Sequence, residues 1–434
     1  MKSTTSDPEH VSSAPMTRRR WGIAWLLGVG VLINYFDRIN LSVASDALHA
    51  EFGITPLQFG YLSSAFNWTY AALQLPIGVL LDRFGVKTLG RIGALFWSIA
   101  TFGAALAPGA YTFFGMRLLL GIGEAPTFPA NAKAVGRWFP RQERSLATAM
   151  FDAAAKFGPA IGVLAVGGVA ARFGWRWSFA ATGALSLLYF VAFTMYYRDP
   201  AEDRHLSEAE RQYIIGVEGN APPTQGASLG YLLRQRKIIG LGVGFFGYSY
   251  CLYLLLYWMP SYFFSLKLDT FHSLLYTSVP WVFASVVDLL VGGWLVDALV
   301  RRGYRDTTVR KTVLIVGTCF GLAIAGAIST KDPTVALLWI SVALGGLSAA
   351  APVGWSIPSL ISPRGSVGRV GSILNFGIQL AGIVSPILTG YITGATHSFS
   401  LAFAVGAVLL LSGIPAYIFL LGRIEPVPEP AVIR

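Results

Sequence analysis

Charged residues are scarce in this sequence, and cysteines scarcer still. Asp, Glu, Lys and Arg make up 13% of its 434 residues, about half the roughly 25% of soluble domains. A water-soluble globule of this length is excluded on that ground. Two cysteines rule out a disulfide scaffold. Cys251 and Cys319 both fall in apolar stretches and read as small packing residues. The five histidines (His10, His49, His205, His272, His397) are scattered through loops and helix ends. No metal cluster or catalytic triad can be assembled from them, so no catalytic residue, metal or cofactor is expected, and the chain is not expected to be an enzyme. The polar start lacks the cleavage pattern of a secretory signal, which leaves the first apolar helix as the expected insertion signal.

What the sequence has is hydrophobicity: 54% of residues are apolar and the mean hydropathy is +0.57. A membrane-crossing helix takes about 20 mostly apolar residues. Twelve such segments fit, at 21–45, 57–81, 88–107, 110–135, 145–171, 175–197, 237–265, 271–299, 311–329, 333–361, 367–393 and 398–422. The expected fold class is an all-α membrane protein with twelve transmembrane helices in two six-helix bundles. One long polar interruption, with Asp199, Glu202, Asp203, His205, Glu208, Glu210, Glu218, Pro222 and Pro223, divides it. The expected organisation is a cytoplasmic tail 1–20, an N-terminal bundle 21–197, a cytoplasmic linker 198–236, a C-terminal bundle 237–422 and a cytoplasmic tail 423–434.

The net charge of +11 raises nucleic acid as a partner, but its distribution argues against one. Basic residues collect on alternate loops: Arg18, Arg19 and Arg20; Arg83, Lys87 and Arg91; Arg137, Arg141 and Arg144; Arg234, Arg236 and Lys237; Arg301, Arg302, Arg305, Arg310 and Lys311. The other loops hold little beyond Arg172, Arg176, Lys267 and Lys331. This is the positive-inside pattern, which places both termini in the cytoplasm. The expected large partner is the lipid bilayer.

Against this apolar background a few polar groups stand out. Asp37 and Arg38 lie side by side inside the first span, although a charge at mid-bilayer costs about 2.5–3.5 kcal/mol even on lenient scales. On a helix they point about 100° apart, so each must meet a different partner. Arg117 and Glu124 share a face of the fourth span but stand about 10 Å apart along an unbent helix. Glu124 must therefore face a cavity or another helix, and Pro126 and Pro129 let this helix loosen beside it. Asp152 and Lys156 are i, i+4 on the fifth span and can pair. Asp288 is a further intramembrane acid, read as structural or as part of a latch. On the seventh span Tyr250, Tyr253 and Tyr257 form a stripe that either lines a cavity or packs. Gly242-Val-Gly244-Phe-Phe-Gly247 fits a dinucleotide motif but lies in a span with no preceding strand, so helix packing explains it.

Gly78-Val-Leu-Leu-Asp82-Arg83-Phe-Gly85-Val-Lys87 is echoed by Gly293-Trp-Leu-Val-Asp297 with Arg301 and Arg302. An acid beside bases at matching positions reads as a two-state latch. The first of these stretches resembles the loop motif of the major facilitator superfamily. Asn34-Tyr35-Phe36-Asp37-Arg38, the run from Arg117 through Gly121, Gly123, Glu124 and Pro126 to Pro129, and Trp138-Phe139-Pro140 with Glu143-Arg144 resemble its anion:cation symporter family. The resemblance covers about 18–424. It implies the major facilitator fold with internal inverted repeats, alternating access and, in bacterial members, proton-driven uptake of organic anions across the inner membrane.

The resemblance also implies roles. Asp37 and Glu124 would be proton-coupling carboxylates, with protons as the coupling ion, and Arg38 would grip the substrate carboxylate. Arg117 would be a gate or charge partner that releases Glu124 when the proton arrives; Asp82, Arg83 and Asp297, from the loop echo, and Asp152, from its helix spacing, are read as further gating or charge-partner residues. Tyr35, Tyr70, Gln74, Tyr253, Trp355, Ser356, Asn375 and Gln379 would offer substrate contacts. Asn375 and Gln379, i, i+4 on one face, read otherwise as interhelical glue. In place of the Gln usual in sugar-acid members stands Ala155. Its neighbour Lys156 either supplies a second positive group for a dianion or is neutralised by Asp152. The implied substrate is a sugar acid (hexonate, hexuronate or aldarate). A carrier of an aromatic or dicarboxylic acid, or an anion exchanger without proton coupling, is the alternative.

Overall fold

The computed structural model describes residues 17–140, 143–215 and 227–429. Arg141, Glu218, Pro222, Pro223 and the terminal segments 1–16 and 430–434 lie outside the described residues.

The first half holds α1 (Arg19–Val43), α2 (Ser45–Phe52), α3 (Pro56–Ala105), α4 (Ala110–Glu124), α5 (Thr127–Trp138), α6 (Arg144–Phe173) and α7 (Trp175–Tyr196). Two short helices follow, α8 (Glu208–Ile215) and α9 (Leu229–Leu233). The second half holds α10 (Arg236–Ser265), α11 (Thr270–Val287), a π-helical turn Asp288–Leu295, α12 (Val296–Arg301) and α13 (Asp306–Gly321). A tighter 3-10 stretch Leu322–Ile328, α14 (Pro333–Ile361), α15 (Val367–Thr396) and α16 (Ser400–Pro415) complete it, with a last π turn Ala416–Leu421.

Local chemistry sets the boundaries. The Thr55 hydroxyl accepts the Gln58 N–H (3.2 Å), the Gln58 amide accepts the Thr55 N–H (2.8 Å), and Pro56 fills a first-turn position that needs no donor. Gly85 sits at φ +76° inside α3, a backbone that side chains with a Cβ avoid. The chain turns back there, so α3 is two spans joined at that glycine. The fourth span, expected as one helix 110–135, is instead broken at Ala125-Pro126, because proline removes a donor and its ring clashes with the preceding turn. The break falls directly after Glu124.

Among the described residues, nine helical stretches are each long and apolar enough to cross a membrane. The two arms of α3 and the broken α4–α5 pair complete twelve. Large apolar side chains such as Leu188, Val408 and Phe419 face outward, while Asp37, Arg117 and Glu124 are buried. The linker 198–236 contains the short helices α8 and α9. Buried Glu210 of α8 accepts from the Arg20 guanidinium (2.8 Å) and from the Thr17 hydroxyl (2.6 Å). Arg20 also donates to Glu143 (2.7 Å), and that bond holds the Glu143 carboxyl below its ordinary range.

The bundles α1–α7 and α10–α16 meet tightly at the end away from the basic loops. A methyl added at Gly60 would stand 2.5 Å from the Pro386 carbonyl oxygen, so glycine is what lets α3 and α15 touch. Ser45 and Ser261 share a hydrogen bond (2.8 Å), and the Phe59 and Trp258 rings meet edge to face at 5.1 Å. At the basic end Val79 and Trp355 are exposed, and Gly78 and Gly371 face open space. The interior therefore opens toward the basic loops and is shut at the opposite end.

Candidate functional site

Four charged side chains converge inside the first bundle. The Arg38 guanidinium donates from Nε (3.0 Å) and Nη2 (2.8 Å) to one oxygen of Glu124, Oε2. Tyr35, Phe66 and Tyr70 surround it, with ring centroids 5.0, 4.5 and 5.7 Å from its central carbon. Aromatic faces stabilise a desolvated cation, so this cage suits a buried arginine. Glu124 Oε1 has no hydrogen-bond partner among the described residues. Asn34, fully buried beside Glu124, completes this corner.

Asp37 looks elsewhere, as adjacency on a helix requires. Its Oδ2 accepts from Ser186 of α7 (3.1 Å), and its Oδ1 has no partner among the described residues. Arg117 reaches the Asp37 backbone carbonyl through Nη1 (3.4 Å), while its Nε and Nη2 have no acceptor. Arg117 makes no hydrogen bond to Glu124, as their spacing on one helix implies, and the direct partner on another helix is Arg38. The seven-residue spacing keeps Arg117 about 10 Å along the helix from Glu124, whereas α1 crosses close by.

A cavity lies between the bundles, lined by Tyr35, Arg38, Lys156, Tyr248, Tyr253 and Trp281 among others. Lys156 pairs with Asp288 (3.4 Å) and not with Asp152, so the expected i, i+4 pair does not form. Asp288 thereby gains a partner that sequence spacing could not supply. Ser285 and Ser348 also line the cavity and were missed. A signal existed: Ser278, Trp281, Ser285 and Asp288 follow helical spacing along one face.

Several other expected contacts are placed differently. Asn375 donates to Gln74 (2.8 Å) across the bundles, and Tyr253 donates to Gln379 (3.0 Å), while Gln74 Nε2 has no hydrogen-bond partner among the described residues. Ser356 accepts from Arg310 (2.7 Å) and donates to the Val353 carbonyl. Trp355 is 46% exposed at the open end, against Phe245, because its face of α14 points to that mouth. Of the tyrosine stripe, Tyr253 and Tyr257 stack at 6.1 Å, whereas Tyr250 packs inside its own bundle against Gly406. In the loop motif Asp82 pairs with Lys133 of α5 (2.5 Å) and Arg83 lies over Phe84. Asp297 is exposed and makes no ion pair among the described residues, so the echo in sequence is not an echo in pairing.

This arrangement can exchange partners. A cavity-facing guanidinium is held by a carboxylate through a single oxygen, and another carboxylate could take it in two-pronged fashion.

Comparison with known proteins agrees with this chemistry. Residues 27–328 match the family model described as Major Facilitator Superfamily. The transporter YybO of Bacillus subtilis is 40% identical, covering 94% of this chain and 95% of its own. A D-galactonate transporter of Escherichia coli is 33% identical (96% and 99%), and a probable galactarate/D-glucarate transporter, GudP, of Bacillus subtilis is 31% identical (95% and 94%). Among solved structures, the xylose transporter XylE from E. coli superposes with a TM-score of 0.73 at 17% identity, covering 95% of this chain and 98% of that one. The chain belongs to the Major Facilitator Superfamily, in the company of its sugar-acid carriers, and is a multi-pass membrane transporter and not an enzyme.

Proposed function

We propose that this transporter imports an organic anion, a sugar acid of the hexonate, hexuronate or aldarate kind, together with protons across a bacterial inner membrane. The basic loops and both termini face the cytoplasm, so the open mouth is the inward one. The observation that carries the reading is the Arg38–Glu124 pair, with both donors on one oxygen at the edge of the cavity. Substrate carboxylate and Glu124 compete for one guanidinium. Protonation of Glu124 removes the competitor and frees Arg38; release of the proton re-forms the pair and expels the substrate. Asp37, held by Ser186, takes the second proton. With both acids neutral, neither repels the anionic cargo as the bundles close around it. The names of the galactonate and galactarate/glucarate relatives support the substrate class.

Uptake into proteoliposomes tests this. Asp37→Asn and Glu124→Gln should each abolish accumulation driven by a proton gradient while leaving substrate exchange measurable. Full accumulation by both variants would overturn proton coupling through these acids. Uptake by the unaltered protein that persists with the gradient collapsed would favour an exchanger.

A further inference from the structure

The Lys156–Asp288 pair plays no part in this scheme, although it is buried and crosses from one bundle to the other. Its side chains are only 23% and 6% exposed. The contact, at 3.4 Å, is longer than an ordinary hydrogen bond, and Asp288 Oδ1 accepts none. An ammonium carries three donors, and this one, half-buried on the cavity wall, has a carboxylate only at ion-pair distance. The backbone that carries it is held in place: Ser285 donates to the Lys156 carbonyl (3.1 Å) and Ser278 to the Ala160 carbonyl (2.6 Å). These bonds fix α6 against α11, with Lys156 on the wall of the same cavity that Arg38 lines.

Helix register sets the levels from which the two cations reach into the cavity. α1 and α6 run in the same direction, and Gly158 lies against Tyr35. Arg38 is three residues beyond that level on α1, and Lys156 is two residues before it on α6. Their Cα atoms are offset by about 7.5 Å along the axis, and two long cationic side chains reaching from those levels into one cavity can be bridged by a short linear carbon chain with an acid at each end. The two cations also match in their surroundings. Each has one buried acid beside it, and neither acid is fully hydrogen-bonded.

We infer that Lys156 is the anchor for a second anionic group, so that the carrier prefers linear dianions, aldarates among the sugar acids, to monoanions of the same length. This deepens the proposed sugar-acid reading and rests on it. One carboxylate takes Arg38 from Glu124, and the other gives Lys156 the close acceptor that Asp288 does not. A monoanion leaves Lys156 as it is.

Equilibrium binding to the purified full-length protein, with galactarate and galactonate as probes, decides the matter. The unaltered protein should bind galactarate at least tenfold more tightly than galactonate. Lys156→Gln should erase that preference by weakening galactarate at least tenfold while changing galactonate less than threefold, and Lys156→Arg should restore most of it. If Lys156→Gln fails to fold because Asp288 is left uncompensated, Lys156→Gln with Asp288→Asn removes both charges and should show the same loss of preference. Unaltered protein that binds galactonate as tightly as galactarate overturns the second anchor alone, as does a variant that weakens both equally. Protein that binds neither overturns the sugar-acid reading, and this inference with it.

Discussion

The two bundles bury different kinds of polar group. In the first, Asp37, Arg38, Arg117 and Glu124 lie inside, and their unpartnered atoms point at one another's surroundings. In the second, the interior is mostly neutral: Tyr253 bonded to Gln379, Ser385 to the Tyr250 carbonyl, and a packed wall of Tyr, Leu and Ala, with Asp288 at its rim. Charges that can gain or lose a proton change the force between bundles, whereas neutral hydrogen bonds only shape the cavity. On the proposed reading, coupling falls to α1, α4 and α7, and α10 and α15 supply a mainly passive lining.

Replacements on the two sides should therefore differ in size and kind. The largest effect is expected from Arg38→Ala, which strands Glu124 as a buried unpaired carboxylate. Breaking such a pair costs about 3–5 kcal/mol. Melting and binding measurements should show a marked loss of stability at neutral pH and no detectable substrate affinity. Unchanged affinity would remove Arg38 from the site. Gln379→Leu, in the neutral bundle, gives up one bond worth about 0.5–1.5 kcal/mol. Affinity should fall by no more than about tenfold, and proton-driven accumulation should persist. A Gln379 variant uncoupled from protons would break the contrast between bundles.

The smallest effect belongs outside the membrane. Glu51 accepts from Arg176 (2.6 Å) and from Trp175 (2.6 Å), and these bonds hold its carboxyl below the ordinary range. A depressed carboxylate stabilises the fold above its unfolded value, and the contribution fades as pH falls through the folded value. Half-exposed as it is, the contact is worth about 1 kcal/mol or less. Glu51→Gln should lower the melting temperature slightly at neutral pH and leave it unchanged in acid. An equal loss at both would show that the pair is not what matters there.

Much of this was written in the sequence, because membrane burial leaves coarse marks. Twelve apolar stretches and alternating basic loops mark the spans, and adjacent charges in an apolar run mark Asp37 and Arg38. The proline pair after Glu124 announced a weak helix, though not that it would break there. The α8 helix carried its own signal, Ser207 three residues before Glu210, and the Ser207 hydroxyl does accept the Glu210 N–H (3.2 Å). Its polar surroundings hid it. Pairing was the illegible part. That Arg38 chooses Glu124, that Lys156 chooses Asp288, and that Gln74 meets Asn375 depend on helices brought together from distant parts of the chain, and periodicity within one helix says nothing of its neighbour.

The central claim is that substrate and Glu124 compete for Arg38, so binding and protonation of Glu124 are linked. Proton exchange on substrate addition measures this directly. In a lightly buffered solution of purified protein, adding galactarate should make the medium more alkaline as Glu124 is displaced from Arg38 and takes up a proton, and Glu124→Gln should bind the same probe with that uptake lost. Binding without proton uptake by the unaltered protein, or the same uptake by the Glu124→Gln variant, would contradict the account.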